Sequence, residues 1–161
     1  MPNDIKTKKR PASNKAEAGV AASLNGFLAD TYVLLAKTQA CHWNATGANF
    51  FGLHKLTEAQ YGELFASIDE LAERVRALDV LAPTGLNAML HLAKLQEAPE
   101  GAISTTDAAR MLAEDNATLA ARASDLADEA DDADDLATHD MLVKRIEVHE
   151  KAAWLLRSHL G

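Results

Sequence analysis

His42, His54, Glu58, Asp69 and Glu73 are the residues of this chain whose types and spacing point to chemistry. His54 and Glu58 are four apart, as are Asp69 and Glu73, so on a helix each pair shares one face. At about 100° per residue, all four side chains fall within roughly 100° of one another. Imidazole together with carboxylate suits Fe2+, Zn2+ or Mn2+, and repeated carboxylates favour the harder, oxygen-preferring ions. Taken singly, each residue has an ordinary reading. A helical Glu or Asp is usually a solvated charge, and a His beside an apolar stripe is usually a packed one. The combination says more, because Tyr61, Gly62 and Phe65 share the same face, which is therefore not simply a solvated one. The two pairs are nevertheless about 22 Å apart along a helix axis, and no single ion spans that distance. If they form one site, a second copy of the chain supplies the other pair. Gly62, near the midpoint of His54 to Glu73, fits either of two readings. A long helix tolerates one glycine at a cost of about 1 kcal/mol relative to Ala. Alternatively, two copies of the helix cross there antiparallel and need close backbone approach.

The elements that must position these residues are helices. The chain has 161 residues, long enough for one domain with a sizeable core. Ala, Leu, Asp, Glu and Lys dominate, and aromatic residues are few, which favours an all-α fold. Helical spacing of Leu24, Phe27, Leu28, Thr31, Leu34 and Leu35 predicts a first helix over about 18–44. A turn follows over 45–49, with Gly47 at its C′ position. Leu53, Leu56, Leu64, Ile68, Leu71, Val75 and Leu78 predict a second helix over about 50–79, ended by Pro83 and Gly85. Residues 86–95 can form a short connecting helix, closed by Pro99 and Gly101. Ser104 is an N-cap candidate, with Asp107 as an acidic variant of the capping box, for a third helix reaching about Ala130. The fourth runs over about 136–159. Four helices with a long connection between the second and third make a ferritin-like four-helix bundle with a short extra helix in that connection.

Charge is distributed unevenly. Residues 1–19 hold Lys6, Lys8, Lys9, Arg10 and Lys15 against Asp4 and Glu17, a net +3, so with a total of −8 the remainder carries −11. Residues 1–15 lack periodicity and read as a mobile basic tail ahead of the bundle at 16–161. Asp125–Asp135 holds seven acidic residues and no basic ones. It reads either as a solvated, helix-breaking loop or as an acidic funnel that concentrates cations. Apolar runs are short and interrupted, so no membrane span is expected, and no apolar leader is evident. The single Cys41 cannot form an internal disulfide, which fits a reducing compartment.

Particular runs carry a family resemblance. His42-Trp43-Asn44, Gly47-Ala48-Asn49-Phe50, Leu53-His54, Asp69-Glu70-Leu71-Ala72-Glu73-Arg74, Thr138-His139-Asp140-Met141-Leu142 and His149-Glu150-Lys151-Ala152-Ala153-Trp154 resemble the signature of the Dps family, the mini-ferritins named as DNA-binding proteins from starved cells. The likeness covers roughly residues 20–158. It implies a homo-oligomeric shell, a dodecamer, that oxidises Fe(II), preferably with hydrogen peroxide, and stores ferric mineral inside. It implies a di-iron ferroxidase centre between two-fold-related subunits, with His42, His54 and Glu58 from one and Asp69 and Glu73 from the other. It places Trp43 beside the metal, where it can intercept radical equivalents. It also implies a three-fold pore near the start of the fourth helix, best matched by Asp140 with Asp135 beside it. The family usually has Asp where this chain has Glu58, so metal spacing or affinity at the second iron is expected to differ. No Glu-x-x-His occurs in the chain, the motif that builds a di-iron site inside a single bundle.

The ligand chemistry gives a mechanism. Hard carboxylate oxygens favour Fe3+ over Fe2+ and so ease electron transfer to peroxide. Both histidines must be neutral to bind, so activity is expected to fail on acidification. Twelve basic tails on one shell would bind DNA multivalently, without sequence preference and with steep salt dependence, and the acidic body would not. Expected is a cytoplasmic protein that can associate with the nucleoid. A structural nucleoid protein without turnover, or a simple metal buffer, remains the alternative, and peroxide-dependent Fe(II) oxidation separates them.

Overall fold

The computed structural model describes residues 15–160. Lys6, Lys8, Lys9 and Arg10 lie outside the described residues, and Lys15 is the first residue of the first helix rather than the last of a tail. The elements are α1 (Lys15–Asn44), β1 (Ala45–Thr46), α2 (Phe50–Ala77), α3 (Leu86–Leu92), β2 (Ile103–Ser104), α4 (Thr105–Asp132) and α5 (Leu136–Arg157). This is the expected all-α four-helix bundle with a short helix in the crossover. Two details differ from the sequence reading. A two-residue parallel bridge pairs Ala45 with Ile103 and Thr46 with Ser104, where only a turn was expected. The acidic run is no loop over most of its length, because α4 continues to Asp132. Its exposed carboxylates are interspersed with buried Ala127 and Ala130, and that apolar face keeps the segment helical.

The bridge explains the topology. It holds the end of α1 beside the start of α4, so those helices run antiparallel, and the crossover returns the chain to the end where α2 began. Gly47 sits in this corner at φ +124°, a conformation that side chains disfavour, and a Cβ there would meet Thr105 Oγ1 at 3.2 Å. The Thr105 hydroxyl donates to the Ala48 carbonyl at 2.7 Å. Ser104 caps α4 as expected: its hydroxyl accepts from the Asp107 N–H at 3.0 Å and donates to the Asp107 carboxylate at 2.7 Å. Asp30, fully buried on α1, fastens the crossover by accepting from the Lys94 and Leu95 N–H groups at 2.6 and 2.8 Å, and it pairs with Arg122.

Leu24, Phe27, Leu28 and Leu34 of α1 meet Leu53, Leu64 and Leu71 of α2, Leu112 and Leu119 of α4, and Leu142 and Leu156 of α5 in one core. By length and composition alone, Glu17–Asn44 is apolar enough to cross a membrane, contrary to the sequence reading. In the fold 61% of its apolar window is buried, so that apolarity serves the core. Charges are buried too. Lys37 pairs with Asp115, Arg145 with Glu63, and Arg74 with Asp135. The last two tie α2 to α5 and its N-cap.

His149 is a core histidine. Its Nδ1–H donates to Asn116 Oδ1 at 2.9 Å, and its ring meets Phe27 edge-on. Burial, aided by the Arg145 charge, pushes its imidazole down to about 3. The unfolded chain takes up this proton near pH 6.5 and the folded chain does not until about pH 3, so the stability His149 contributes is complete above the first value and is lost as pH falls toward the second. Urea unfolding between about pH 7 and about pH 5 should show the gap between the parent and His149→Gln narrowing by about 1.4 kcal/mol per unit below the imidazole's unfolded value. A gap constant with pH would mean that His149 titrates normally in the fold.

Candidate metal centre

His42 lies in the last turn of α1 and His54 in the second turn of α2. The five-residue corner between the helices brings them face to face. Their rings stack with centroids 3.7 Å apart and planes 16° apart. Each Nδ1 lies 3.0 Å from the other residue's main-chain carbonyl oxygen. A carbonyl can only accept, so both Nδ1 atoms carry a proton, and the neutral tautomer this selects is the one with its lone pair on Nε2. The backbone clasp therefore fixes the tautomer that binds a metal through Nε2, as partners behind ligating histidines generally do. Near the end of α1 the His42 carbonyl has lost its helical partner, so the bond also satisfies a backbone group. The Thr57 hydroxyl donates to the Leu53 carbonyl at 2.8 Å and lies 3.2 Å from His42 Nδ1. Tyr61 meets the His42 ring edge-on at 5.2 Å, and Phe50 lies 5.3 Å from the His54 ring.

Glu58 follows one turn along α2, exposed, with Lys55 Nζ 2.7 Å from its carboxylate. That hydrogen bond, then the Lys55 charge, holds the Glu58 carboxyl below its ordinary range. Asp69 and Glu73 are exposed on α2, about 22 Å further along the axis. The fold thus joins His42 and His54, sets Glu58 one turn along α2 from His54, and leaves Asp69 and Glu73 apart. Among the described residues, no group of three or more His, Cys, Asp or Glu in one chain is arranged to hold a metal ion. Trp43 is exposed beside His42. Asp140 is exposed on the first turns of α5. Asp135 is buried instead, and its carboxylate caps α5 through the Thr138 N–H and pairs with Arg74. Burial raises its carboxyl, but the bonds from Arg74 and Thr138 outweigh that and hold it below the ordinary range.

A model of the ferritin-like domain family matches residues 21–161. The chain is 38% identical over 144 residues to the DNA protection during starvation protein of Brevibacillus brevis, covering 88% of this chain and 94% of that one. The chain belongs to the Dps family. An uncharacterised low temperature-induced protein of Nostoc is 37% identical over 149 residues, covering 92% of this chain and 83% of the other. The crystal structure of a Vibrio cholerae Dps protein, described as a member of a broad superfamily of ferritin-like diiron-carboxylate proteins, superposes with a TM-score of 0.87 over 95% of this chain and 99% of that one at 28% identity. Membership in the Dps family agrees with the bundle and its crossover.

Sequence reasoning did not anticipate the carbonyl clasp or Lys55. The first requires knowing that the two helices meet at a five-residue corner. The second was legible in the three-residue spacing of Lys55 and Glu58. A divalent ion that takes Glu58 must displace Lys55, and an ion pair this exposed is a weak competitor. Lys55→Gln should therefore tighten Co2+ binding by about two- to fivefold in calorimetric titration of the assembled protein. Weaker binding would show that Lys55 positions the carboxylate and does not compete for it.

Proposed function

We propose that this protein oxidises Fe(II) at a site shared between two copies of the chain and stores the ferric product inside a closed shell. The observation that carries this reading is the split ligand set. His42, His54 and Glu58 gather at one end of the outer stripe of α2, and Asp69 and Glu73 wait at the other. A two-fold axis passing between positions 63 and 64 of antiparallel α2 helices sets His54 against Glu73 of the partner subunit and Glu58 against Asp69 of the partner subunit. One such contact makes two sites.

In each site two neutral imidazole nitrogens and three carboxylates receive Fe2+. The iron supplies the electrons: two Fe2+ give one each, and hydrogen peroxide takes both, with two protons, and leaves as two waters. The protein's own part is to orient Nε2 of His42 and His54 through their carbonyl clasp, to release Glu58 from Lys55, and to stabilise the higher charge of Fe3+ with carboxylate oxygens. Without a cation the site gathers three negative charges, so iron also relieves their repulsion. Trp43, exposed beside His42, is the residue suited to quench stray radical equivalents. A dodecamer is the assembly we assign, because closed symmetry can supply the two-fold contacts while enclosing a store. The basic residues Lys6, Lys8, Lys9, Arg10 and Lys15 are the proposed DNA contacts, since residues 20–161 carry a net −11.

His54→Ala and Asp69→Ala should each abolish most rapid Fe(II) oxidation in stopped-flow assays with peroxide. Shells reassembled from a mixture of the two inactive variants should recover activity, because a mixed contact keeps one intact site. Absence of recovery in well-mixed shells would refute sharing. Removing residues 1–15, and with them all five cations, should leave iron oxidation intact and abolish DNA retardation in gels. With the full chain that retardation should fall steeply between about 50 and about 200 mM salt. Equal DNA binding by the truncated shell at matched salt would move the contact off the tail.

A further inference from the structure

Two residues on the ligand stripe of α2 have no explanation within the subunit. Phe65 is 70% exposed, although its neighbours at Leu64 and Ser67 are buried. Gly62 stands in the middle of a 28-residue helix, where glycine is the costliest residue after proline. Nothing lies within 4 Å of the place a Cβ would occupy on Gly62, so its own chain does not require the missing side chain. Both residues fall within roughly 100° of His54, Glu58, Asp69 and Glu73 around the helix.

The two-fold axis was located from the ligands alone, between positions 63 and 64. The same axis sets position 62 against position 65. It therefore lays the most protruding ring of the stripe's centre over its barest stretch of backbone. It also sets Phe51, 72% exposed, against Arg76, an exposed guanidinium, a pairing in which a cation meets an aromatic face. Four pairs on one face (51 with 76, 54 with 73, 58 with 69, 62 with 65) are complementary under a single symmetry operation. An isologous contact demands that each residue find its partner this way.

We propose that Phe65 and Gly62 form the steric key of the contact between two copies of this chain. The ring of Phe65 seats on the bare backbone at Gly62 of the partner subunit, and the reciprocal contact forms across the axis. The key lies between the two metal sites and fixes the register on which both depend. A slip of one residue along the helix is about 1.5 Å, enough to carry a ligand out of coordination range. The key also lets the backbones approach closely enough for side chains as short as Asp69 to reach across. Phe65 and Gly62 are positioning residues and touch no iron. This inference rests on the shared-site reading and names the contact that sets it.

The test exchanges the two residues. Gly62→Phe places two rings in one space, and Phe65→Gly empties it. Each should raise the concentration at which the assembly dissociates by about tenfold or more in light scattering, and should slow Fe(II) oxidation in parallel. The double variant Gly62→Phe with Phe65→Gly moves the knob to the other side of the same contact and leaves the composition of α2 unchanged. It should recover assembly to within a few-fold of the parent. Gly62→Phe removes a glycine from the helix interior, so its defect is not one of helix propensity, and neither is its rescue by Phe65→Gly, which puts a glycine back. Independently, chains carrying Gly62→Cys mixed with chains carrying Phe65→Cys should form an interchain disulfide on mild oxidation, and neither variant alone should do so. Cys41 does not compete, being buried with its thiol pushed up to about 11. No rescue, or no mixed disulfide, overturns the key even if iron oxidation persists, in which case the shared site stands with another register. Rescue and cross-linking without Fe(II) oxidation in the parent would establish the key and remove the ferroxidase reading.

Discussion

A helix is a rigid ruler, and fifteen residues of it separate His54 from Asp69. The intervening axial distance of about 22 Å cannot be shortened without breaking the backbone hydrogen bonds of α2. The fold makes no attempt to shorten it. Leu53, Thr57, Leu64, Ser67, Leu71 and Val75 lock one face of α2 into the bundle, and the ligand stripe is left facing outward along its whole length. Everything that holds α2 in place therefore also holds His54 and Glu58 at a fixed separation from Asp69 and Glu73. On the shared-site reading proposed above, one subunit presents the two ends of a centre that two copies complete.

The surrounding bundle supplies that rigidity in several ways. Glu63 and Arg74 reach from α2 to Arg145 and Asp135, so ion pairs brace the helix against α5. Arg145 and Asp135 are the buried ends of these pairs, so removing the partner of either leaves a buried charge uncompensated. At the other end, the Gly47 corner and the two-residue bridge to β2 fix where α2 begins. The crossover is fastened by Asp30, whose carboxylate takes two backbone N–H groups. These contacts lie away from the ligands, yet they decide where His42 meets His54.

That meeting shows how much chemistry can reside in backbone geometry. Neither histidine relies on an acidic side chain to select its tautomer. Each uses the other's carbonyl, so the pair is organised before any ion arrives, and the stacked rings hold their Nε2 atoms in related directions. Glu58 differs, being exposed and held by Lys55. This end of α2 thus combines a preformed imidazole pair with a carboxylate already paired to a lysine.

Helical periodicity, the Pro and Gly punctuation and the Ser104 cap were legible in the chain, because each depends on residues within a turn or two of one another. So were the face shared by His54, Glu58, Asp69 and Glu73 and the impossibility of joining them within one helix, since both follow from the rise and twist per residue. The corner bridge was not legible. It pairs Ala45 with Ile103, residues whose proximity depends on the whole crossover. The same is true of the buried fate of Asp135, which reads in sequence as one more member of an acidic run. Only the packing of α2 against α5 brings Arg74 within reach of it. The acidic run itself stayed helical because alanines on its inner face find the core, an outcome charge counting misses. The sequence by itself determined what α2 carries and at what spacing, because local geometry is nearly invariant. Tertiary structure decided which residues face each other across helices, because those contacts depend on where the chain returns.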